Sequence, residues 1–210
     1  MSNPRKLLLF DFDGVLVDSL PVYARAIQWT LAYIGMPIVQ NETEYLELFD
    51  ENFYASLEQR GVDMAAFTRG LEIYKQEIGG DYYGEVKPYP FMPPVLEALR
   101  RDHLLAVVSS NSSDAIERIF DRIAYKNCFA AILGADFAFS KRDKICFALE
   151  RFRTSPRDAF YIGDTVGDIK EGRLAGVTTV AVTWGWHSKE KLQAAGPDLL
   201  VEEPEGLLTL

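Results

Sequence analysis

The sequence predicts an α/β protein, built on a parallel sheet with helices on both faces, with a small all-helical segment inserted after the first strand. Two observations predict this fold. From about residue 95 onward, short apolar runs alternate with helical patterns, as in right-handed βαβ units. Between about residues 22 and 80 the pattern is helical throughout, without β-branched runs.

The first predicted strand is the short apolar run of residues 6–10, which stops at an acidic cluster and a glycine. The helical segment follows, and it ends in the proline-rich stretch of residues 84–94, since proline favours extended or turn backbone. We therefore predict two domains. Residues 1–18 and 86–210 form the α/β core domain, and residues 19–85 form a helical cap domain.

The other predicted elements alternate along the second part of the chain. Strands are predicted over residues 103–109, 131–134, 159–162, 177–182 and 198–201. Helices are predicted over residues 95–101, 114–124, 143–152, 166–175 and 189–195. This order predicts a sheet whose strands end along a common edge.

Composition excludes several classes of partner. The chain has 210 residues and a formal net charge of −9, which argues against nucleic acid and against an anionic membrane surface. Its apolar runs are too short to span a bilayer, and its start does not resemble a signal peptide. Two cysteines, Cys128 and Cys146, are typical of reduced thiols in a cytoplasmic protein.

Short polar side chains stand where three of the predicted strands end. They are Asp11 and Asp13 after the first strand, Ser109, Ser110 and Asn111 at the end of the next core strand, and Asp164 and Asp168 after the strand of residues 159–162. Ligands of open parallel sheets bind beyond the carboxyl ends of the strands, so these side chains are predicted to share one rim. Four carboxylates there call for a hard cation with oxygen ligands, such as Mg²⁺.

The two acids of the first cluster suggest a reaction. With the cation offsetting repulsion, one aspartate can attack the phosphorus of a phosphate ester and form an acyl phosphate. A second carboxylate can protonate the leaving alkoxide and later deprotonate the attacking water. Asp11 and Asp13 are two residues apart, and we expect them to point to the same side of the strand and to serve one site.

Three stretches of the chain resemble motifs of the haloacid dehalogenase (HAD) superfamily phosphatases. They read DFDGVLVDS over residues 11–19, SSN over residues 109–111 and GDTVGD over residues 163–168. Their order and spacing are most similar to the phosphoglycolate phosphatase-like branch, which has a helical cap inserted after the first motif. The resemblance implies a Rossmann-like core and a Mg²⁺-dependent phosphatase.

The resemblance also implies roles for the acids. Asp11 would be the nucleophile and a Mg²⁺ ligand. Asp13 would be the general acid and base, and its backbone carbonyl a metal ligand. Asp164 would ligate Mg²⁺, and Asp168 would hold the metal's waters.

Phosphate binding is implied for a second group of residues. Ser109, Ser110 and Asn111 form the motif that would hold the phosphate. The family's remaining motif is a lysine, which often precedes a proline. Here residues 140–144 read SKRDK, without that proline, so Lys141 and Lys144 are both candidates. We prefer Lys141, because it lies just before the predicted helix start and nearer to the rim.

Related functions stay open at this point. A sugar phosphomutase similar to beta-phosphoglucomutase would share the whole site, as would a pyrophosphatase or a nucleotidase of the superfamily. The dehalogenases lack the second aspartate, and a regulatory receiver-like domain lacks both that aspartate and the helical insert. The expected partner is a small phosphorylated metabolite, phosphoglycolate first. The candidates for contacting its leaving group and setting specificity are Tyr45, Asn52, Tyr54 and Arg60.

Overall fold

The computed structural model describes residues 5–123, 125 and 127–210. Its strands are β1 (Leu7–Phe10), β2 (Val17–Asp18), β3 (Lys87–Pro88), β4 (Leu104–Val108), β5 (Ala131–Leu133), β6 (Ala159–Gly163), β7 (Thr178–Val182) and β8 (Leu199–Val201). Six of them form one parallel sheet in the order β5-β4-β1-β6-β7-β8. The predicted fold class, a parallel sheet surrounded by helices, is confirmed.

Helices surround the sheet and make up the segment between β2 and β3. They are α1 (Leu20–Tyr33), α2 (Glu42–Glu47), α3 (Phe53–Gln59), α4 (Met64–Ile73), α5 (Tyr82–Glu85), α6 (Met92–Asp102), α7 (Ser113–Phe120), α8 (Lys141–Phe152), α9 (Val166–Ala175) and α10 (Lys189–Ala195). Short helical turns add Leu48–Asp50, Tyr74–Ile78, Pro156–Asp158 and Pro204–Thr209. Among the described residues, none of these helices has the length and hydropathy needed to cross a bilayer.

Strand β1 lies at the centre of the sheet and is buried on both faces. Leu8 and Phe10 belong to one apolar cluster, whereas Leu7 and Leu9 belong to the cluster on the other face, as the two-residue period of a strand requires. The last residue, Phe10, pairs in register with Val107 of β4 and with Ile162 of β6. The residues that follow these three strands therefore meet at one edge.

The helical insert, which is the segment between β2 and β3, begins and ends at the same place. Strand β2 pairs antiparallel with β3, with Val17 opposite Pro88 and Asp18 opposite Lys87. This two-stranded ribbon brings the ends of the insert together, and every regular element between them is helical.

Some element boundaries differ from the prediction. Helix α6 starts at Met92 rather than at 95, because prolines are tolerated in the first turn of a helix. Helix α8 starts at Lys141 rather than at 143, since the Ser140 hydroxyl accepts a hydrogen bond from the Asp143 amide at 3.2 Å and caps it. Helix α7 ends at Phe120, and the predicted end at 124 lies outside the described residues.

Some large aromatic side chains lie at the surface, although most aromatic rings of the sheet and helices are buried. Phe137 is 46% exposed and packs against Phe147, with ring centroids 4.4 Å apart. Tyr33 is also exposed and stacks on Trp29. Ring size alone does not tell which side of an element faces the core.

Candidate active site

Three buried aspartates cluster at the carboxyl edge of the sheet. Asp11 follows β1, Asp164 follows β6, and Asp168 lies in the first turn of α9. One carboxylate oxygen from each lies within 4.8 Å of the others. The cluster arises because β1 and β6 are neighbours that end in register. Close, buried carboxylates repel one another strongly unless a cation stands between them.

Lys141 supplies one such cation. Its Nζ atom donates hydrogen bonds to Asp11 Oδ2 at 2.7 Å and to Asp168 Oδ1 at 2.6 Å. Burial alone would lower the pKa of Lys141, but the charges of Asp11 and Asp168 raise it well above its ordinary value. The backbone amide of Lys141 donates to Glu171 Oε1 at 2.7 Å, which fixes the start of α8. Lys141 therefore stays protonated beside the acids.

Lys144, the other candidate lysine, points elsewhere. It is fully buried, and its Nζ donates to the Ser109 carbonyl at 2.5 Å. Burial lowers the pKa of Lys144 to about 7, and the charge of Lys141 adds to that effect. Lys144 therefore binds the backbone at the end of β4, whereas Lys141 binds the acids.

Asp164 lies in a very narrow space. Its Oδ2 atom accepts a hydrogen bond from the Trp186 amide at 2.6 Å. A Cβ atom at Gly14, whose φ is +75°, would lie 2.0 Å from that same oxygen, and one at Gly185 would lie 2.3 Å from it. Only glycine fits at both positions. The Oδ1 atom of Asp164 is buried, and no donor among the described residues reaches it.

Asp168 is fully engaged by protein donors. Its Oδ2 atom accepts from the Thr165 amide at 3.1 Å and from the Thr165 hydroxyl at 2.6 Å. The Asp168 amide in turn donates to the Thr165 hydroxyl oxygen at 3.2 Å, which completes a capping box at the start of α9. Its Oδ1 atom accepts from Lys141 and, at 2.8 Å, from the Tyr161 hydroxyl. Although burial opposes it, the Lys141 charge lowers the pKa of Asp168. Asp168 therefore orients Lys141 and the Asp164 turn.

The two acids of the first motif titrate differently. Burial raises the pKa of Asp11 to about 6, although Lys141 opposes the rise. Burial raises the pKa of Asp13 to about 8, and the Asp11 charge adds to the rise, while the Ser19 hydroxyl donates to Asp13 Oδ1 at 2.7 Å. At neutral pH, Asp11 is then mostly ionised and Asp13 mostly protonated. Two carboxyl groups with separated pKa values can act as a base or nucleophile and as an acid at one pH.

One cavity of about 320 Å³ opens above these acids. Its floor is formed by side chains from the core, namely Asp11, Asp13, Ser109, Ser110, Asn111, Asp136, Lys141 and Thr165. The sequence predicts that the pair of acids faces one side as members of a strand. Both do line the cavity, but they lie beyond the end of β1 at Phe10, just before the left-handed turn at Gly14.

The family model for haloacid dehalogenase-like hydrolases matches residues 8–182, which is most of the chain. The chain belongs to the haloacid dehalogenase-like hydrolase family. The predicted family is thereby confirmed, as is the prediction that the chain is a hydrolase.

Relatives of this hydrolase cover its whole length. It is 30% identical over 202 residues to a phosphoglycolate phosphatase of Synechococcus elongatus, covering 96% of this chain and 94% of that one. It is 30% identical over 211 residues to a phosphoglycolate phosphatase of Aquifex aeolicus, covering 98% and 96%. The solved structure of a haloacid dehalogenase-like family hydrolase from Streptococcus pneumoniae has the same fold, with a TM-score of 0.80 at 24% identity and 98% and 97% coverage.

Several residues of this hydrolase's site are not predicted from its sequence. Tyr161 and Trp186 hold Asp168 and Asp164, and Glu171 holds the start of α8. Tyr23, from the insert, contacts the Asn111 side chain through its hydroxyl. No motif or spacing signals these contacts, because they join elements that are distant in the sequence.

The helical insert of this hydrolase is docked onto the core by polar contacts. The Tyr54 hydroxyl donates to the Ser110 carbonyl at 2.7 Å, and Asn52 Nδ2 donates to Glu171 Oε2 at 3.0 Å. His187, to which the sequence assigns no role, accepts from the Val166 amide at 3.1 Å and lies 3.0 Å from the Leu46 carbonyl. Of the four residues expected to read the leaving group, Tyr45 and Tyr54 line the cavity, Asn52 bridges to the core, and Arg60 is exposed beside a separate groove.

Proposed function

We propose that this chain is a Mg²⁺-dependent phosphatase that hydrolyses a small-molecule phosphate monoester through an aspartyl phosphate on Asp11. The observation that carries the proposal is geometric: Asp11 and Asp13 line one cavity, and Asp11 lies 2.7 Å from Lys141 and within the cluster of three aspartates. Asp11 would be the nucleophile, and Asp13, whose pKa burial raises, would supply the proton that a leaving alkoxide needs. The relatives, which are phosphatases by name, support the same reaction.

The acid cluster fits a divalent cation. The atoms that it offers to a metal are all oxygens, which Mg²⁺ prefers as ligands. One of them, Asp164 Oδ1, is buried and accepts no hydrogen bond from the described residues. Asp11 and Asp164 would hold the ion with the Asp13 carbonyl, while Asp168, already engaged by protein donors, would act on its water shell. When bound, Mg²⁺ offsets the repulsion between the carboxylates and the phosphate.

In the first half-reaction, a carboxylate oxygen of Asp11 attacks phosphorus in line. The bond from phosphorus to the ester oxygen breaks as Asp13 transfers its proton to that oxygen, and the alcohol leaves. Lys141 holds the nucleophile in place and offsets charge on it. Ser109 and Asn111, at the end of β4, would hold the phosphoryl group.

The second half-reaction restores the enzyme. Asp13, now a carboxylate, takes a proton from a water molecule, whose oxygen attacks the phosphorus of the aspartyl phosphate. The bond from phosphorus to Asp11 breaks, and inorganic phosphate leaves. Positioned acid–base help of this kind contributes about 10²–10⁴-fold.

The helical insert would act as a cap domain, residues 19–85, over a core of residues 1–18 and 86–210. The β2–β3 ribbon joins the two at one place, which suits a hinge. The insert supplies most of the cavity wall away from the acids. Closure would exclude water from the phosphoenzyme and select the alcohol. The relatives' names make phosphoglycolate the first ester against which other substrates are compared.

Turnover of an aryl phosphate tests the reaction. We expect hydrolysis with Mg²⁺, loss of activity with excess chelator, recovery when Mg²⁺ is restored, and inhibition by Ca²⁺, which prefers a larger and looser ligand shell. Asp11→Asn should abolish turnover. Asp102→Asn is the matched control, because Asp102 is exposed and lies outside the cavity. Full turnover in excess chelator, or by Asp11→Asn, would refute the proposal.

A further inference from the structure

The cavity wall opposite the acids is aromatic. Rings from five elements of the insert contribute to it, namely Tyr45, Phe49, Phe53, Phe67 and Tyr82. Phe49 packs against Tyr45 with ring centroids 5.2 Å apart and against Phe53 at 5.1 Å, nearly parallel. Phe53 in turn packs against Phe67 at 6.2 Å, whereas Tyr82 packs against Tyr23 at 5.5 Å. Most of the wall is therefore one connected set of rings.

Tyrosine hydroxyls near the cavity mouth are already engaged. The Tyr54 hydroxyl donates to the Ser110 carbonyl at 2.7 Å, and the Tyr54 ring stacks on Phe139 of the core at 4.5 Å. The Tyr23 hydroxyl contacts the Asn111 side chain. What these two residues offer a ligand is mainly ring surface.

Charge in the cavity opposes a second anionic group. Among the described residues that line it, the cations are Lys141 and Lys75. Lys141 is paired with Asp11 and Asp168. Lys75 is paired with Glu72, at 3.3 Å, and its side chain is only 9% exposed. A carboxylate on the leaving group would find each of these lysines already paired.

The volume of the cavity also argues against a glycolate leaving group. The cavity holds about 320 Å³, which is near the lower end of the roughly 300–1,000 Å³ of pockets that bury drug-sized ligands. A two-carbon glycolate group would leave most of the aromatic wall without contact. Atoms beside a void lose their dispersion partners, so such a ligand would bind weakly.

We propose that the leaving group is a primary alcohol that carries a flat, uncharged aromatic ring. The phosphate would lie over Asp11, and the ring would pack against the wall that Phe49, Phe53 and Phe67 form. Rings packed in offset or edge-to-face contacts favour one another beyond the burial of their area. This inference rests on the proposed phosphatase reaction and changes only the alcohol from glycolate to an arylmethyl group.

Four phosphate esters of primary alcohols test the inference: benzyl phosphate, phosphoglycolate, ethyl phosphate and choline phosphate. Phosphate release is measured with Mg²⁺, and the rate of Asp11→Asn is subtracted. We expect kcat/KM for benzyl phosphate to exceed the other three by about tenfold or more. Equal or faster turnover of phosphoglycolate, ethyl phosphate or choline phosphate would overturn the inference and leave the reaction standing. If neither these esters nor an aryl phosphate are hydrolysed above the Asp11→Asn rate, the proposed function itself fails.

A matched pair of variants tests the charge argument. Thr68 lies on the exposed side of α4 and also borders the cavity. Thr68→Arg adds a cation to the wall, whereas Thr68→Gln adds length without charge. We expect Thr68→Arg to raise the ratio of phosphoglycolate to benzyl phosphate turnover about tenfold, and Thr68→Gln to leave it within about twofold. An equal ratio in both variants would show that missing positive charge is not what excludes glycolate. Partial unfolding cannot imitate the result, because both rates come from the same preparation.

Discussion

The side-chain nitrogen of Lys141 lies 2.7 Å from the Oδ2 atom of Asp11, and both side chains are buried. Opposite charges in a buried site keep each other ionised, and removing one leaves the other uncompensated. The same nitrogen also contacts Asp168. Lys141 thus links the proposed nucleophile to the start of α9.

Replacement of the two neighbouring lysines by methionine should separate their roles. Lys141→Met removes a charge beside the nucleophile, and we expect kcat for an aryl phosphate to fall by about 10²–10³-fold. Lys144→Met removes the donor to the Ser109 carbonyl, and we expect it mainly to lower the free energy of unfolding. Steady-state kinetics and urea unfolding of both variants measure this. A larger loss of kcat in Lys144→Met would reverse the assignment.

Lys144 should also make stability depend on pH. Its pKa is lowered by burial from 10.5 to about 7, so between these values the unfolded chain binds more protons than the folded one. The contribution of Lys144 to the free energy of unfolding therefore increases as the pH rises above about 7. We expect the wild-type protein to gain stability relative to Lys144→Met between about pH 7 and pH 9. If the free energies of unfolding of the two proteins, measured in urea, changed in parallel with pH, the lowered pKa of Lys144 would be contradicted.

The two acids of the first motif should fail at different steps. Asp11→Asn removes the nucleophile, so neither product burst nor phosphoenzyme can form. Asp13→Asn leaves Asp11 able to attack an ester with a good leaving group, but it removes the base that activates water. With an activated aryl phosphate we expect a burst followed by turnover slowed about 10²–10⁴-fold.

The site of labelling decides between the acids. After acid quenching and proteolysis of Asp13→Asn, the phosphate should map to Asp11. Phosphate on Asp164, or a burst in Asp11→Asn, would mean that nucleophile and base are wrongly assigned.

Docking of the helical insert should depend on one glycine. A Cβ atom at Gly167 would lie 2.4 Å from the Glu51 carbonyl oxygen and 2.9 Å from that of Phe49. Gly167→Ala should therefore hold the insert away from the core and lower kcat/KM by about 10- to 100-fold, through misplaced wall residues. Leu174→Ala, on the exposed side of the same helix, is the control.

Solution scattering provides the structural measurement for this variant. Gly167→Ala should show a larger radius of gyration than the wild-type protein and Leu174→Ala. Identical scattering together with unchanged kinetics would show that the insert adapts to the methyl group and does not need this close approach.

Much of the fold and of the acid cluster follows from local sequence. Apolar runs too short for helices must be buried as strands, and parallel pairing brings their carboxyl ends together. For that reason the sequence alone assigns four acids to one rim, namely Asp11, Asp13, Asp164 and Asp168. The helical insert is recognisable because its pattern has the period of a helix throughout.

The choice between the two lysines needs the folded chain. The sequence favours Lys141 because it is expected before the helix, yet it is the first residue of α8. Lys144 lies three positions after Lys141, so the two side chains share one face of the helix about 4.5 Å apart along its axis. One reaches the acids and the other reaches the end of β4. A sequence pattern does not show how a helix is rotated against its sheet.

Contacts across the molecule set the remaining properties of the site. The Trp186 amide that holds Asp164 is a backbone group, which every residue except proline carries, so no side-chain pattern marks it. The rings of the cavity wall come from separate helices and meet only when the insert folds. The position at which a strand ends is set by residues close to it in the sequence, so the sequence predicts where the acidic residues lie. The shape and charge of the leaving-group pocket depend on packing between distant elements, so only the tertiary structure decides them.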